Sequence, residues 1–229
     1  MSNNTPINLR IKFKKVGNLQ YISHLDLVRT MHKIIVRAGL PLWYTEGFNP
    51  KPKMVFAAPL SIGTESYAEY MDLRLSEKID TNEAIRVLND NLTDELVVLD
   101  AYYPETKLTE MKWLAYTVTV DTVGASEELV ARCNSALAAP EMKVCKKAKL
   151  GGAEIDIKPL IKSALATLSD GVIKIECILS ADASAFLNPE YLVKYLQGSV
   201  GILSSENLLS EEYSIVRTKA LRGDMTPFS

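Results

Sequence analysis

The chain has 229 residues, of which 47% are hydrophobic and 24% charged, with a formal net charge of −2. This composition is typical of a globular protein, and the length predicts one large domain or two small ones. No apolar run approaches the roughly 20 residues of a membrane-spanning helix, and the N-terminus lacks an apolar signal core, so we expect a cytoplasmic protein. Three widely spaced cysteines, Cys133, Cys145 and Cys177, fit neither a disulfide framework nor a zinc site and favour a reducing compartment.

Charge is unevenly distributed along the chain. Residues 1–53 contain nine Lys and Arg against two Asp and Glu, a net charge of +7, which leaves −9 for residues 54–229. A basic segment on an acidic chain is typical of a surface that meets a polyanion. Cations that are scattered and paired with distant acidic residues would give the same composition.

The first elements in chain order are a strand and a helix. Residues 9–16 alternate, which predicts a half-buried strand with a cationic outer face. Ser23 and Asp26 are spaced to cap a helix, and Gly39 is placed to end it. Cations spaced four residues apart lie on one face of this helix, at Arg29, Lys33 and Arg37.

Four further elements complete the first half. Extended segments flank a turn at residues 47–52, and residues 68–76 alternate as a strand. An amphipathic helix follows from Asp80 or Thr81, and a last strand covers residues 95–103. The order strand, helix, strand, strand, helix, strand predicts a ferredoxin-like unit with both helices on one face of an antiparallel sheet.

The same order recurs after a polar, proline-containing run at residues 103–112. We therefore predict an α+β protein with two ferredoxin-like (βαββαβ) halves, residues 1–104 and the more acidic residues 105–229. One continuous α+β domain with a large mixed sheet is the alternative. The elements of the second half are a strand at 112–121, a helix from Ser126, two strands or a hairpin around Gly151-Gly152, a strand at 171–180, a helix from Asn188 to Gly198 and a strand at 211–222.

The run "EGFNPKPK" at residues 46–53 indicates a binding loop. Phe48 can stack on a base, and lysines can neutralise phosphates, which is the combination that a single-stranded RNA site needs. A surface loop with a buried Phe48 anchor is the alternative. The predicted nucleic-acid-binding residues are Lys12, Lys14, Arg29, Lys33, Phe48, Asn49, Lys51 and Lys53.

Neither a metal site nor a recognised catalytic motif is present in the sequence. His24 and His32, the two histidines, lie about 12 Å apart along the predicted helix, so one metal ion cannot bridge them. His24 is the one candidate for a catalytic residue, in a metal-independent ribonuclease with Lys51 or Arg29 stabilising charge. A solvent-facing residue in the first helical turn explains His24 equally simply.

The run "GNLQYISHLDLVRTMHKIIVRAGLPLWYTEGFNPKPKMVFAAPLSIGTESYAEYMDLRL" resembles the radical-SAM-linked bacterial family of unknown function. Members are fused to a radical SAM protein or encoded beside one. The residues that carry the resemblance include Ser23, His24, Asp26, Gly47, Pro50, Gly63 and Glu65.

The resemblance implies a radical SAM partner that holds an iron–sulfur cluster and cleaves S-adenosylmethionine. We expect no cofactor in this chain, because it lacks the closely spaced cysteines that such a cluster needs. The leading hypothesis is a non-catalytic accessory module that binds RNA as the substrate of an RNA-modification reaction performed by that partner. The alternatives are a protein-interaction module that docks the partner or a ribosomal protein, and the His24 ribonuclease.

Overall fold

The computed structural model describes residues 5–146, 153–205 and 210–229. The chain divides into two compact units, with unit 1 formed by Met1–Met111 and Phe228–Ser229 and unit 2 by Lys112–Pro227. Both combine antiparallel strand pairs with helices, so the protein is mixed α+β, with four α-helices among the described residues. No helix in these ranges is both long and apolar enough to span a bilayer.

Unit 1 contains the predicted order of elements. The elements are β1 (Ile7–Lys15), α1 (His24–Arg37), β2 (Met54–Phe56), β3 (Thr64–Leu75), α2 (Thr81–Asn89) and β4 (Leu96–Tyr102). The strands lie in the order β4-β1-β3-β2, and each neighbouring pair is antiparallel.

Local sequence explains where α1 begins and ends. The Oγ of Ser23 accepts a hydrogen bond of 3.1 Å from the backbone N–H of Asp26, which satisfies a free donor of the first turn. Gly39, just past the helix, has a φ of +71°, a conformation that glycine adopts without strain. The predicted cap and stop of α1 are therefore confirmed.

The core of unit 1 lies between one face of the sheet and the two helices. Leu9, Ile11 and Phe13 of β1 are fully buried and share a hydrophobic cluster with Met31 of α1 and Leu88 of α2. Because successive side chains of a strand point to opposite faces, three of the four cations of β1 lie on the face away from α1. These cations are Arg10, Lys12 and Lys14.

Arg10 is not a surface cation, although the alternation of β1 places it with Lys12 and Lys14. It is fully buried, and its Nε and Nη2 atoms donate to the Asp72 carboxylate at 2.7 and 3.1 Å. Its Nη1 donates to Thr106 Oγ1 at 2.8 Å, and its guanidinium lies 4.9 Å from the centroid of the Phe228 ring. The +7 count of residues 1–53 therefore includes a charge that is neutralised inside unit 1.

The elements of unit 2 are β5 (Met111–Asp121), α3 (Glu127–Leu137), β6 (Lys143–Lys146), β7 (Ala153–Asp156), β8 (Ile161–Ser169), β9 (Val172–Ser180), α4 (Glu190–Val200) and β10 (Glu212–Arg222). The strand order is β10-β5-β9-β8, and α3 packs against β8 and α4. A separate hairpin of β6 and β7 follows α3, and its predicted turn at Gly151-Gly152 lies outside the described residues.

Two sequence predictions for unit 2 were wrong. Strand β8 was not predicted, because its run is mostly Ala, Leu and Ser, with only Ile161 and Thr167 as β-branched residues and no aromatic residue to favour a strand. The predicted end of α4 at Gly198 was also wrong. The helix continues to Val200, and Gly201, with a φ of +84°, is the glycine that ends it.

Candidate nucleic-acid interface

Residues 43–53 form a projecting loop that we call the GFNP hairpin. The backbone N–H of Thr45 donates to the carbonyl of Lys51 at 2.9 Å, and Lys51 N–H donates to Thr45 Oγ1 at 3.1 Å. The base of the hairpin is joined to β3, where Trp43 N–H donates to the carbonyl of Arg74 at 2.9 Å. These bonds attach the hairpin firmly at its base and leave residues 46–50 as its tip.

The tip presents an aromatic ring to solvent. The side chain of Phe48 is fully exposed, and Asn49 and Pro50 beside it are also exposed. Gly47 has a φ of +121°, which is accessible to glycine and strained for other residues, and it turns the chain ahead of Phe48. The alternative of a buried Phe48 anchor is therefore wrong.

A shallow depression of about 540 Å³, which we call the basic groove, lies between α1 and the GFNP hairpin. Helix α1 supplies most of the residues that line the groove, because residues three and four apart lie on the same face of a helix. Its lining residues are Arg29, His32, Lys33, Val36, Arg37, Lys51 and Pro52.

Most of the positive charge in the basic groove is uncompensated. Arg29 forms an exposed ion pair of 3.1 Å with Asp26. Lys33, Arg37 and Lys51 form no ion pair with any residue in the described part of the chain. An exposed i,i+3 ion pair contributes little to stability, so Arg29 can leave Asp26 and bind the anionic group of a ligand. All four cations of the groove are therefore available to a ligand.

His32 lies among these cations and is partly buried. Desolvation lowers its pKa, and repulsion from Lys51 lowers it further. The ring is therefore neutral near pH 7 and gains a positive charge when the surroundings become more anionic.

His24, the predicted catalytic candidate, does not line the groove. Its ring centroid lies 5.3 Å from that of Phe56, with the planes at 82°, an edge-to-face arrangement typical of packing. No hydrogen bond joins its side chain to another described residue. The His24 ring therefore packs against Phe56 at the start of α1.

The predicted binding residues fall into two groups. Arg29, Lys33 and Lys51 meet in the basic groove, and Phe48 and Asn49 lie at the adjoining hairpin tip, while Lys53 is exposed on the hairpin outside the groove lining. Lys12 and Lys14 lie on the opposite face of the sheet, where Lys12 is the cross-strand neighbour of Asp100. The structure thus joins the helix and the hairpin, and it does not bring the strand cations to them.

Several residues of the family signature shape the start of α1. The Asp26 pKa is lowered by its hydrogen bond from Ser23 and by Arg29. Gly63 N–H donates to the carbonyl of Gln20 at 2.9 Å, and Glu65 accepts from Gly17 N–H at 2.7 Å. These contacts hold the segment before α1 in place.

His32 and Arg37 were missing from the predicted binding set. Both share the exposed face of α1 with Arg29 and Lys33, so the i,i+3 and i,i+4 pattern could have identified them.

No cluster of three or more metal-ligating side chains occurs within the described ranges. Cys133 and Cys177 are buried, and burial raises the pKa of the Cys177 thiol to about 12.

Solved structures similar to this chain include two complexes. A crystal structure of a Cbf5-Nop10-Gar1 complex has a TM-score of 0.52 and 11% identity over 93% of this chain and 48% of the other. An archaeal box H/ACA sRNP Nop10-Cbf5 complex has a TM-score of 0.47 and 9% identity over 93% and 47%. At such identities the first likeness concerns the fold alone, and this chain spans about half of each structure. No curated protein shows a significant sequence match to this chain.

One family model covers most of the chain. Residues 8–189 match the model described as "Uncharacterized protein conserved in bacteria", DUF2344. The matched range includes the GFNP hairpin, the basic groove and all signature residues around α1. The chain therefore belongs to the DUF2344 family of bacterial proteins.

Proposed function

We propose that this protein is a non-catalytic module that binds single-stranded RNA through the basic groove and the tip of the GFNP hairpin. The observation that carries the proposal is that Phe48 is fully exposed on a hairpin whose Lys51 shares a groove with cations of α1. Exposed aromatic rings beside a line of cations form the usual surface for single strands.

The cations of α1 are arranged as a row. Arg29, Lys33 and Arg37 follow one another at four-residue intervals, which places them about 6 Å apart along the helix axis. This spacing is of the same order as the separation of successive phosphates in an extended strand. Lys51 faces the row across the groove, so a strand that runs along α1 contacts cations on both sides.

Phe48 favours unpaired RNA over a duplex. Bases inside a duplex already stack on their neighbours, whereas an unpaired base offers a free face to an aromatic ring. Phe48 loses no intramolecular packing when it stacks, because its side chain is already exposed to solvent. We therefore expect this module to prefer single strands, loops or bulges.

We also propose that this module works with a radical SAM enzyme. The resemblance to the radical-SAM-linked family supports a separate enzyme that performs radical chemistry on the RNA that this module presents.

The strand order supports two ferredoxin-like units. When the four sheet strands of each unit are numbered along the chain, both units have the spatial order 4-1-3-2, and each unit has two helices. The β6–β7 hairpin is an insertion in unit 2. The likeness to the Cbf5-Nop10-Gar1 structure bears on the fold and carries no part of the RNA proposal.

The test compares two charge-neutralised variants by fluorescence anisotropy with a labelled single-stranded RNA. Lys33→Gln, Arg37→Gln and Lys51→Gln together should weaken binding roughly tenfold or more, because three phosphate contacts are lost. The control, Lys12→Gln with Lys14→Gln, changes cations of the other sheet face and should leave affinity within about twofold. Equal losses in both variants would refute the groove as the site. If the wild type does not bind RNA and a protein copurifies with it from native cells, the protein-interaction alternative replaces this proposal.

A further inference from the structure

A second depression of about 350 Å³ lies on the other side of α1 within unit 1. Its floor is the hydrophobic core, where Ile34 and Leu96 are 8% and 3% exposed. Leu19, Ile22 and Leu92, which are partly buried, form its walls. Pockets for small ligands are typically concave, mostly apolar and roughly 300–1,000 Å³ in volume, and this depression falls within that range.

Polar groups line the rim of this pocket. Thr30 and Thr93 have no side-chain hydrogen bond to another described residue. Asn91 donates through Nδ2 to the carbonyl of Val87 at 2.9 Å, and its Oδ1 accepts no hydrogen bond from a residue in the described ranges. These groups can donate to and accept from the edge of a ligand that lies between the apolar walls.

Lys33 and Arg37 line both this pocket and the basic groove. They therefore form a cationic ridge between the two depressions. The carboxylate of Asp26 also lines the pocket, but it lies seven residues before Lys33, about 10 Å away along the helix axis, and is held by Ser23 and Arg29. One end of the pocket is thus cationic, and the other carries a hydrogen-bond acceptor.

We infer that this pocket binds one nucleotide, with its base between the aliphatic walls and its phosphate on the ridge of Lys33 and Arg37. Apolar side chains on both faces of a base, with polar groups at its edge, are the usual way to hold an extruded base. The inference deepens the proposed function, because a strand in the basic groove can place one unpaired nucleotide across the ridge. A free mononucleotide has the same chemistry.

The test uses NMR chemical-shift mapping on the whole chain with uridine and adenosine 5′-monophosphates, the two nucleosides and inorganic phosphate. The monophosphates should shift the amide signals of Thr30, Leu92 and Thr93 saturably, and phosphate alone should shift only signals near the ridge. Thr30→Trp should cover the opening and weaken mononucleotide binding by about tenfold or more, since the ligand can no longer enter. Ala131→Trp, at an exposed position of α3, is the matched control and should have no effect.

The outcomes separate the two proposals. Saturable mononucleotide shifts at the pocket support the inference, and RNA binding that Thr30→Trp weakens identifies the nucleotide as part of a strand. Mononucleotide binding at the pocket without any RNA binding identifies a free nucleotide as the ligand and refutes the proposed function. RNA binding without mononucleotide shifts at Thr30, Leu92 and Thr93 overturns the pocket inference and leaves the proposed function intact.

Discussion

The backbone amide of Thr45 donates a hydrogen bond of 2.9 Å to the carbonyl of Lys51, and Lys51 N–H donates back to Thr45 Oγ1 at 3.1 Å. This reciprocal pair closes the GFNP hairpin. It holds Lys51 beside α1, where it lines the basic groove, and it leaves Phe48 at the solvent-exposed tip. One hairpin therefore carries both the exposed aromatic ring and one of the groove cations of the proposed RNA site.

Removing the ring of Phe48 should affect binding without affecting folding. We predict that Phe48→Ala weakens single-stranded RNA binding by about tenfold, because stacking of one base contributes roughly 1–3 kcal/mol. The thermal unfolding midpoint should not change, since the ring is fully exposed. Phe48→Trp should retain affinity, and Tyr213→Ala, which removes an exposed aromatic ring of unit 2, is the control. An unchanged anisotropy titration for Phe48→Ala would rule out stacking at the tip.

The salt dependence of binding reports how many phosphates the cations contact. We predict that Lys51→Gln reduces the slope of log K against log salt by about 0.7, the value for one phosphate contact of a single strand. Lys14→Gln makes the same chemical change on the far face of the β1 sheet and should leave the slope unaltered. A slope that responds to Lys14 and not to Lys51 would move the site to that face.

His32 should couple binding to pH. Its pKa is lowered in the free protein by desolvation and by Lys51. A bound polyanion favours the protonated ring, so RNA binding should raise this pKa and affinity should increase as the pH falls from about 7 to about 5.5. His32→Gln should remove this increase, and His24→Gln should preserve it. Calorimetry in buffers of different ionisation enthalpy measures the proton taken up.

The same lowered pKa has a consequence for folding. In the unfolded chain the His32 pKa returns to about 6.5, so below that pH the unfolded state binds more protons than the folded state. The free energy of unfolding should therefore fall as the pH drops below about 6.5 and through the lower folded-state pKa. Urea denaturation of wild type and His32→Gln over this range checks the sign, because the variant should lose less stability.

The buried pair of Arg10 and Asp72 should stabilise the fold. Arg10→Met leaves the buried Asp72 carboxylate without its cationic partner and with only the Asn8 amide still donating to it, and we predict a loss of about 3–5 kcal/mol in the free energy of unfolding. The control is Arg86→Met, which removes exposed ion pairs with Glu83 of α2 and with Asp90 just after it, and which should cost far less because exposed ion pairs contribute little to stability. Similar costs for the two variants would show that Arg10 behaves as a surface cation.

Local features of this fold could be predicted from the sequence, and long-range ones could not. The start of α1 depends on Ser23 and Asp26, three residues apart, so a short motif contains all the information. The burial of Arg10 depends on Asp72 and Phe228, which are distant in sequence. The alternation of β1 shows only that Arg10 points away from the core side of the strand.

The structure brings some of the predicted binding residues together and separates others, and sequence position alone does not show which. Cations on the exposed face of α1 and cations on the outer face of β1 lie on opposite sides of a layer of helices packed on a sheet. Lys12 and Lys33 therefore cannot belong to one compact patch, although both are basic and close in sequence. The position of Lys51 beside α1 follows from the hairpin bonds to β3, which the sequence does not display.

Photo-crosslinking tests the central claim most directly. A single-stranded RNA that carries 4-thiouridine is bound to the purified chain, irradiated and digested, and the crosslinked peptides are identified by mass spectrometry. We predict crosslinks at Phe48 and in peptides of α1 that contain Lys33 and Arg37. Crosslinks confined to residues 112–227, or to peptides that contain Lys12 and Lys14, would contradict RNA binding in the basic groove.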